Sequence, residues 1–186
     1  RVRSFIPAEF QIISVLPGKT VGGIYIADYN QANSVMGYNE LIVVSGLVAR
    51  SGKVGSWVSH IYVDNPNSVA GGREIWGLPK KLAQFEWICD RLPYVQVRQG
   101  DRMLSSLRCT WQSPNLALPA LTAPVFSELN SQLLMFEARG RFNLQLIGAK
   151  LQVPAESSFA ALNLGEGWLN FYSNPLTVVV KAPTIQ

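Results

Sequence analysis

Ile61–Trp87 reads IYVDNPNSVAGGREIWGLPKKLAQFEW. The stretch opens on a strand end, passes through a double glycine, and returns to strand around two adjacent lysines. Its first part belongs to Gly55–Asp64 (GSWVSHIYVD), which is rich in β-branched and aromatic residues. Alternation there puts Trp57, Ser59, Ile61 and Val63 on one face and Val58, His60 and Tyr62 on the other. Both faces carry bulk, which suits a strand covered on both sides. Asn65 followed by Pro66 is an N-cap residue with proline at the first helical position. A short helix is therefore predicted from Asn67 to about Ile75, weakened by Gly71 and Gly72.

Outward from this stretch the chain reads mostly as strand. Phe10–Leu16, Val21–Asp28 and Glu40–Val48 precede it, separated by turns at Pro17-Gly18, Asn30–Gly37 and Ser51-Gly52. Leu82–Cys89, Tyr94–Gln99, Met103–Trp111, Leu133–Arg139, Phe142–Val153 and Thr177–Lys181 follow it. Phe126–Met135 is a candidate second helix, and Ser113–Pro124, with three prolines, reads as a surface connection. The expected fold class is mainly β with few helices: a curled sheet or barrel around an apolar cavity, in one domain over 1–186. The chain begins with Arg1 rather than Met, consistent with an N-terminal segment lying outside it.

Hydrophobic residues make up 48% of the chain, enough for a substantial core. Charged residues are 15%, against about a quarter in a typical domain, which suggests extra buried surface in a pocket or a subunit interface. The net charge of +4 comes from dispersed residues such as Arg50, Lys53, Arg91 and Arg98. No basic run interleaves with aromatics, so no nucleic-acid partner is expected. With neither a charged-then-apolar leader nor eighteen consecutive apolar residues, no membrane partner and a cytoplasmic location are expected. Cys89 and Cys109 lack CxxC spacing and read as free buried thiols. A single histidine, His60, leaves a metal site short of ligands, and it reads as a hydrogen-bonded structural residue. The glycine pairs match no phosphate-binding pattern, and no cofactor is expected.

Lys80 and Lys81 stand among Ile75, Trp76, Leu78, Pro79, Leu82, Ala83 and Phe85. One reading has both stems snorkelling to solvent from an apolar strand end. The other points at least one amine into apolar surroundings, where desolvation disfavours the ammonium. A neutral amine is what attack on a ketone requires. Neighbours on an extended chain face opposite ways, so burial rather than mutual repulsion would do the tuning.

Tyr62, Asp64, Asn65, Gly72, Arg73, Glu74 and Pro79-Lys80-Lys81-Leu82 resemble, in type and spacing, the signature of the acetoacetate decarboxylase family. The resemblance is weaker outside this run but extends from about Ile6 to Thr177–Lys181. It implies that Lys80 is the Schiff-base lysine and Lys81 its companion. It also implies that Glu40, in Tyr38-Asn39-Glu40, is an active-site carboxylate. A further family glutamate falls on Tyr25, which becomes a candidate substrate-binding residue. Arg73 and Glu74 are read as supports of the lysine loop and as candidate substrate-binding residues.

The activity implied is a lyase that forms a Schiff base with a small β-keto acid and releases carbon dioxide, in a homo-oligomer. Tyr25 in place of a glutamate leaves a Schiff-base aldolase-dehydratase as an alternative. A third reading is a barrel that binds an apolar ligand, a lipid or isoprenoid pigment, without catalysis. Its support is the low charge together with five tryptophans.

Overall fold

The computed structural model describes residues 1–30, 34–117 and 120–186. In chain order the strands are β1 (Gln11–Ile12), β2 (Gly23–Asp28), β3 (Asn39–Arg50), β4 (Lys53–Val63), β5 (Lys80–Leu82), β6 (Gln84–Ile88) and β7 (Tyr94–Gln99). They continue with β8 (Arg102–Gln112), β9 (Leu116–Ala117), β10 (Leu121–Leu129), β11 (Gln132–Gln152), β12 (Phe171–Val180) and β13 (Thr184–Ile185). The helix α1 (Pro66–Glu74) lies between β4 and β5. Residues 31–33 of the expected Asn30–Gly37 turn, and 118–119 of the expected connection, lie outside the described residues.

The mainly β expectation holds, and so does the helix after Asn65, whose side chain accepts from Asn67 N–H as an N-cap. The candidate helix at 126–135 is instead the end of β10, a turn and the start of β11. Asn130 and Ser131 both take positive φ (51° and 62°), which reverses the chain in two residues where a helix would have continued. The two strands expected from Leu133 to Val153 are one long strand.

The chain divides into two compact units. The first comprises Arg1–Ala83, Ala123–Glu137 and Lys181–Gln186. In it β1 and β2 pair antiparallel with one edge of β3, and β3 pairs antiparallel with β4. The other edge of β4 takes two parallel partners in succession: β10 at Ser56–Trp57 and β5 at Ile61–Val63. The second unit comprises Gln84–Thr122 and Ala138–Val180. There β6, β7 and β8 form an antiparallel meander, β8 pairs with β11, and β12 pairs with β11 at Ala138–Leu146. Among the described residues neither ladder closes on itself, so the sheet is open rather than a barrel.

Two apolar clusters lie in the first unit. One gathers Val58, Ile61, Val63, Val125 and Phe136 with Tyr38, Ile42, Val69 and Leu78; the other gathers Ile6, Phe10, Val48 and Phe126 with Trp57. Full burial of a side chain such as Ile61 contributes about 2 kcal/mol. The expected alternation along β4 is broken. Register shifts between Val43 and Gly46 of the partner strand put Val58 in the same cluster as Ile61 and Val63, while Trp57 joins the other. Of the two thiols, Cys109 is buried as expected, whereas Cys89 lies just past β6 and is exposed.

Candidate active site

The site is written into cross-strand register. Directly opposed residues of a sheet share a face. Tyr25 faces Ile42, Ile42 faces Ile61, and Ile61 faces Lys80, which makes one row across β2, β3, β4 and β5. The next row is Ala27, Glu40, Val63 and Leu82. Lys80 and Glu40 thus belong to one face of the sheet, with Tyr25, Tyr29 and Tyr38 at matching parity around the small Ala27. Helix α1 covers this face through Ser68 and Gly72.

The signature residues hold the geometry. Both oxygens of Asp64 are used: Asn39 N–H donates to Oδ1 and Asn39 Nδ2 to Oδ2, each at 2.7 Å. That clasp fixes the start of β3 beside Glu40. Asn65 caps α1 and donates through Nδ2 to the Gly37 carbonyl at 3.1 Å. Arg73 donates through Nε to the Lys80 carbonyl at 2.7 Å, anchoring the start of β5. A Cβ at Gly72 would stand 2.5 Å from Cδ of Lys80, so only glycine lets the lysine stem pass under the helix.

The amine itself is enclosed. Lys80 is 7% exposed and Glu40 6%. Lys80 Nζ stands 2.8 Å from Glu40 Oε1, donates to Ser68 Oγ at 3.0 Å, and lies 5.0 Å from the centroid of the Tyr38 ring. Tyr38 is hydrogen-bonded to Ser68, and its ring is 5.1 Å from that of Tyr29. The hydroxyls of Tyr25 and Tyr29 share a 2.6 Å hydrogen bond. Burial pushes the Tyr25 phenol up to about 12; the bond from Tyr29 opposes this and the negative Glu40 adds to it. Burial also raises Tyr29 and Tyr38 well above the ordinary phenol value, with Tyr25 the next cause for Tyr29 and Glu40 the next for Tyr38. At neutral pH all three are uncharged hydroxyls, able to donate as well as accept.

The structure therefore brings together Lys80, Glu40 and Tyr25 of the residues singled out from sequence. It does not bring the others to the amine. Lys81 follows on the same strand, faces the other way and is exposed. Arg73 and Glu74 are exposed at the end of α1, with Arg73 engaged by backbone. Tyr29, Tyr38 and Ser68 were not singled out; the alternation Tyr25-x-Ala27-x-Tyr29 was the available signal. His60 Nδ1 is 2.9 Å from Ser59 Oγ and its ring stacks on Tyr62, as a structural histidine would. Among the described residues no three His, Cys, Asp or Glu side chains are grouped to hold a metal, and no helix is long and apolar enough to cross a membrane. Two depressions, of about 240 and 450 Å³, are lined by neither Lys80 nor Glu40.

The acetoacetate decarboxylase family model matches residues 1–132, and the chain belongs to that family. A tomato (Solanum lycopersicum) protein, NEOXANTHIN-DEFICIENT 1, is 31% identical over 91 residues, covering 49% of this chain and 30% of the relative. An acetoacetate decarboxylase of Burkholderia vietnamiensis is 30% identical over 87 residues, 45% of this chain and 31% of the relative. The matched stretches thus span about a third of the length of these curated relatives. The crystal structure of acetoacetate decarboxylase from Legionella pneumophila superposes with a TM-score of 0.79 at 16% identity, covering all of this chain and 79% of that one. That likeness is one of fold.

Proposed function

We propose that the chain is a lyase in which Lys80 forms a Schiff base with a small β-keto acid and releases carbon dioxide. The observation that carries this reading is the buried amine 2.8 Å from a buried carboxylate, Glu40. Glu40 is placed to hold the amine by one N–H and to move protons once it has added. The ammonium gives its third proton to water, and the free amine adds to the ketone carbon. Glu40 carries a proton from the nitrogen of the adduct to its oxygen, which takes up the proton first released and departs as water. The resulting iminium draws in the electrons of the bond to the carboxylate. Carbon dioxide leaves, the enamine takes a proton at carbon, and water releases the ketone and frees the amine.

Borohydride reduction in the presence of acetoacetate tests this. The expected result is a reduced adduct on the Lys80 peptide by mass, with carbon dioxide evolved without reductant, and loss of both in Lys80→Ala. An unmodified Lys80, with carbon dioxide release unchanged in Lys80→Ala, overturns the reading.

The Tyr25–Tyr29 hydroxyl pair favours one alternative. Neutral phenols on the amine's face would hold a substrate carboxylate by hydrogen bonds and so retain it, leaving the same imine to aldol or dehydration chemistry. Imine trapping with pyruvate and an aldehyde, without carbon dioxide release from any β-keto acid, is the result that would select it.

A further inference from the structure

Resting on the reading of Lys80 as the nucleophile, we infer that Ser68 is a positioning residue that aims the Lys80 lone pair, with Tyr38 holding Ser68 in turn. A neutral amine has two N–H bonds and one lone pair. Two acceptors stand beside Nζ: Glu40 Oε1 at 2.8 Å and Ser68 Oγ at 3.0 Å. When each takes one N–H, rotation about the Cε–Nζ bond stops and the lone pair has a single direction. Glu40 alone would leave the amine free to turn about one hydrogen bond.

Ser68 is suited to the task. It is 5% exposed and sits in the first turn of α1, fixed by the Asn65 cap and by Pro66. Its oxygen accepts from Nζ, which leaves its own proton for Tyr38, the residue to which it is hydrogen-bonded. Tyr38 also lays its ring 5.0 Å from Nζ, forming a wall on which a planar carbonyl can rest. Gly72, one helical turn on, clears the stem so that the amine reaches both acceptors. Orientation of this kind acts on the rate of attack rather than on how tightly the keto acid is held.

The test compares wild type, Ser68→Ala, Ser68→Thr and Tyr38→Phe in two assays. Borohydride trapping is followed against acetoacetate concentration, and modification of Lys80 by dinitrofluorobenzene is followed by peptide mass. Ser68→Ala is expected to lower the maximal trapping rate about tenfold or more, the size of one hydrogen bond to a reacting amine, while the half-saturating concentration moves less than about twofold. Ser68→Thr, which keeps the hydroxyl, should recover most of the rate, and Tyr38→Phe should fall between. Arylation of Lys80, measured against exposed Lys53, should slow in parallel.

Trapping and arylation both unchanged in Ser68→Ala overturn the inference, as does a loss that appears only in the half-saturating concentration. If Thr fails to rescue, the inference falls unless Tyr38→Phe, folded by circular dichroism, shows the same rate-specific loss. Should wild type form no adduct with any keto acid, the lyase reading fails. Arylation then decides the inference alone, and equal rates in wild type and Ser68→Ala overturn it.

Discussion

Lys80 Nζ and Glu40 Oε1 are 2.8 Å apart although the strands that carry them are not neighbours. Strand β4 runs between β5 and β3, and the two side chains meet over its Ile61–Val63 segment. Both groups are almost fully buried, so removing one strands the other. Breaking a buried pair from one side costs about 3–5 kcal/mol, whereas replacing both partners by apolar groups costs far less. Glu40→Leu and Lys80→Met should each lower stability in urea by about 3 kcal/mol, and the double substitution by clearly less than their sum. Additive losses in denaturation curves would mean that the pair is not coupled.

Gly71 and Gly72 make a matched comparison within one helix. Alanine in place of glycine inside a helix gains about 0.5–1 kcal/mol. At Gly71 a Cβ meets nothing within 4 Å, so Gly71→Ala should show that gain and trap substrate normally. At Gly72 the Cβ would press on Lys80 Cδ at 2.5 Å. The stem must move, taking the amine off its acceptors. Gly72→Ala should therefore slow borohydride trapping at least about tenfold and, because the buried pair is disturbed, lose stability where Gly71→Ala gains it. Equal trapping rates in the two variants would show that the lysine stem adjusts without moving Nζ.

What the sequence made legible was local. Asn65-Pro66 announced α1, and the family resemblance at Tyr62–Leu82 and at Tyr38-Asn39-Glu40 pointed to Lys80 and Glu40, which the fold brings within 2.8 Å. What stayed hidden depended on distant pairing. Ser68 looks like any polar residue in a helix until β5 returns beneath it. Tyr29 and Tyr38 gain meaning only when the β2–β3 register sets them on either side of Ala27 and Glu40. The hairpin at Asn130-Ser131 was missed for a different reason. The pair lacks the glycine that usually marks a turn with two positive φ angles, while FSELNSQLLM fits helical spacing as well as it fits strand.

The tyrosine cluster makes stability fall in alkali. A phenol whose folded value is raised stays protonated in the native state while the unfolded chain, ionising near 10, gives up its proton. Its contribution is fully present below about pH 10 and is lost as pH rises; for Tyr25 the loss is complete near 12. Urea midpoints should therefore decline from about pH 10 upward, and Tyr25→Phe should decline less steeply. A spectrophotometric titration should show Tyr25, Tyr29 and Tyr38, half of the six tyrosines, ionising late or only on unfolding. Six phenolates appearing together near pH 10 in the folded protein would contradict the burial described here.

Lys81 provides the sharpest contrast with Lys80. It pairs in the ladder with Tyr62, while Lys80 pairs with Ile61, so the two ammonium-bearing stems leave β5 on opposite faces. An exposed, hydrated ammonium on the far side of a strand acts on Nζ only through water, where a unit charge is strongly screened. If burial and the Glu40–Ser68 acceptors govern the amine, Lys81→Ala should leave trapping within about twofold of wild type at every pH from 6 to 9, and raising the salt concentration should change neither protein's profile. If the second lysine tunes the first by repulsion, Lys81→Ala should shift the pH dependence of trapping, and high salt should reproduce that shift in the wild type. The comparison is made on folded protein, since an exposed lysine removed from a strand edge changes stability by no more than about 0.5 kcal/mol.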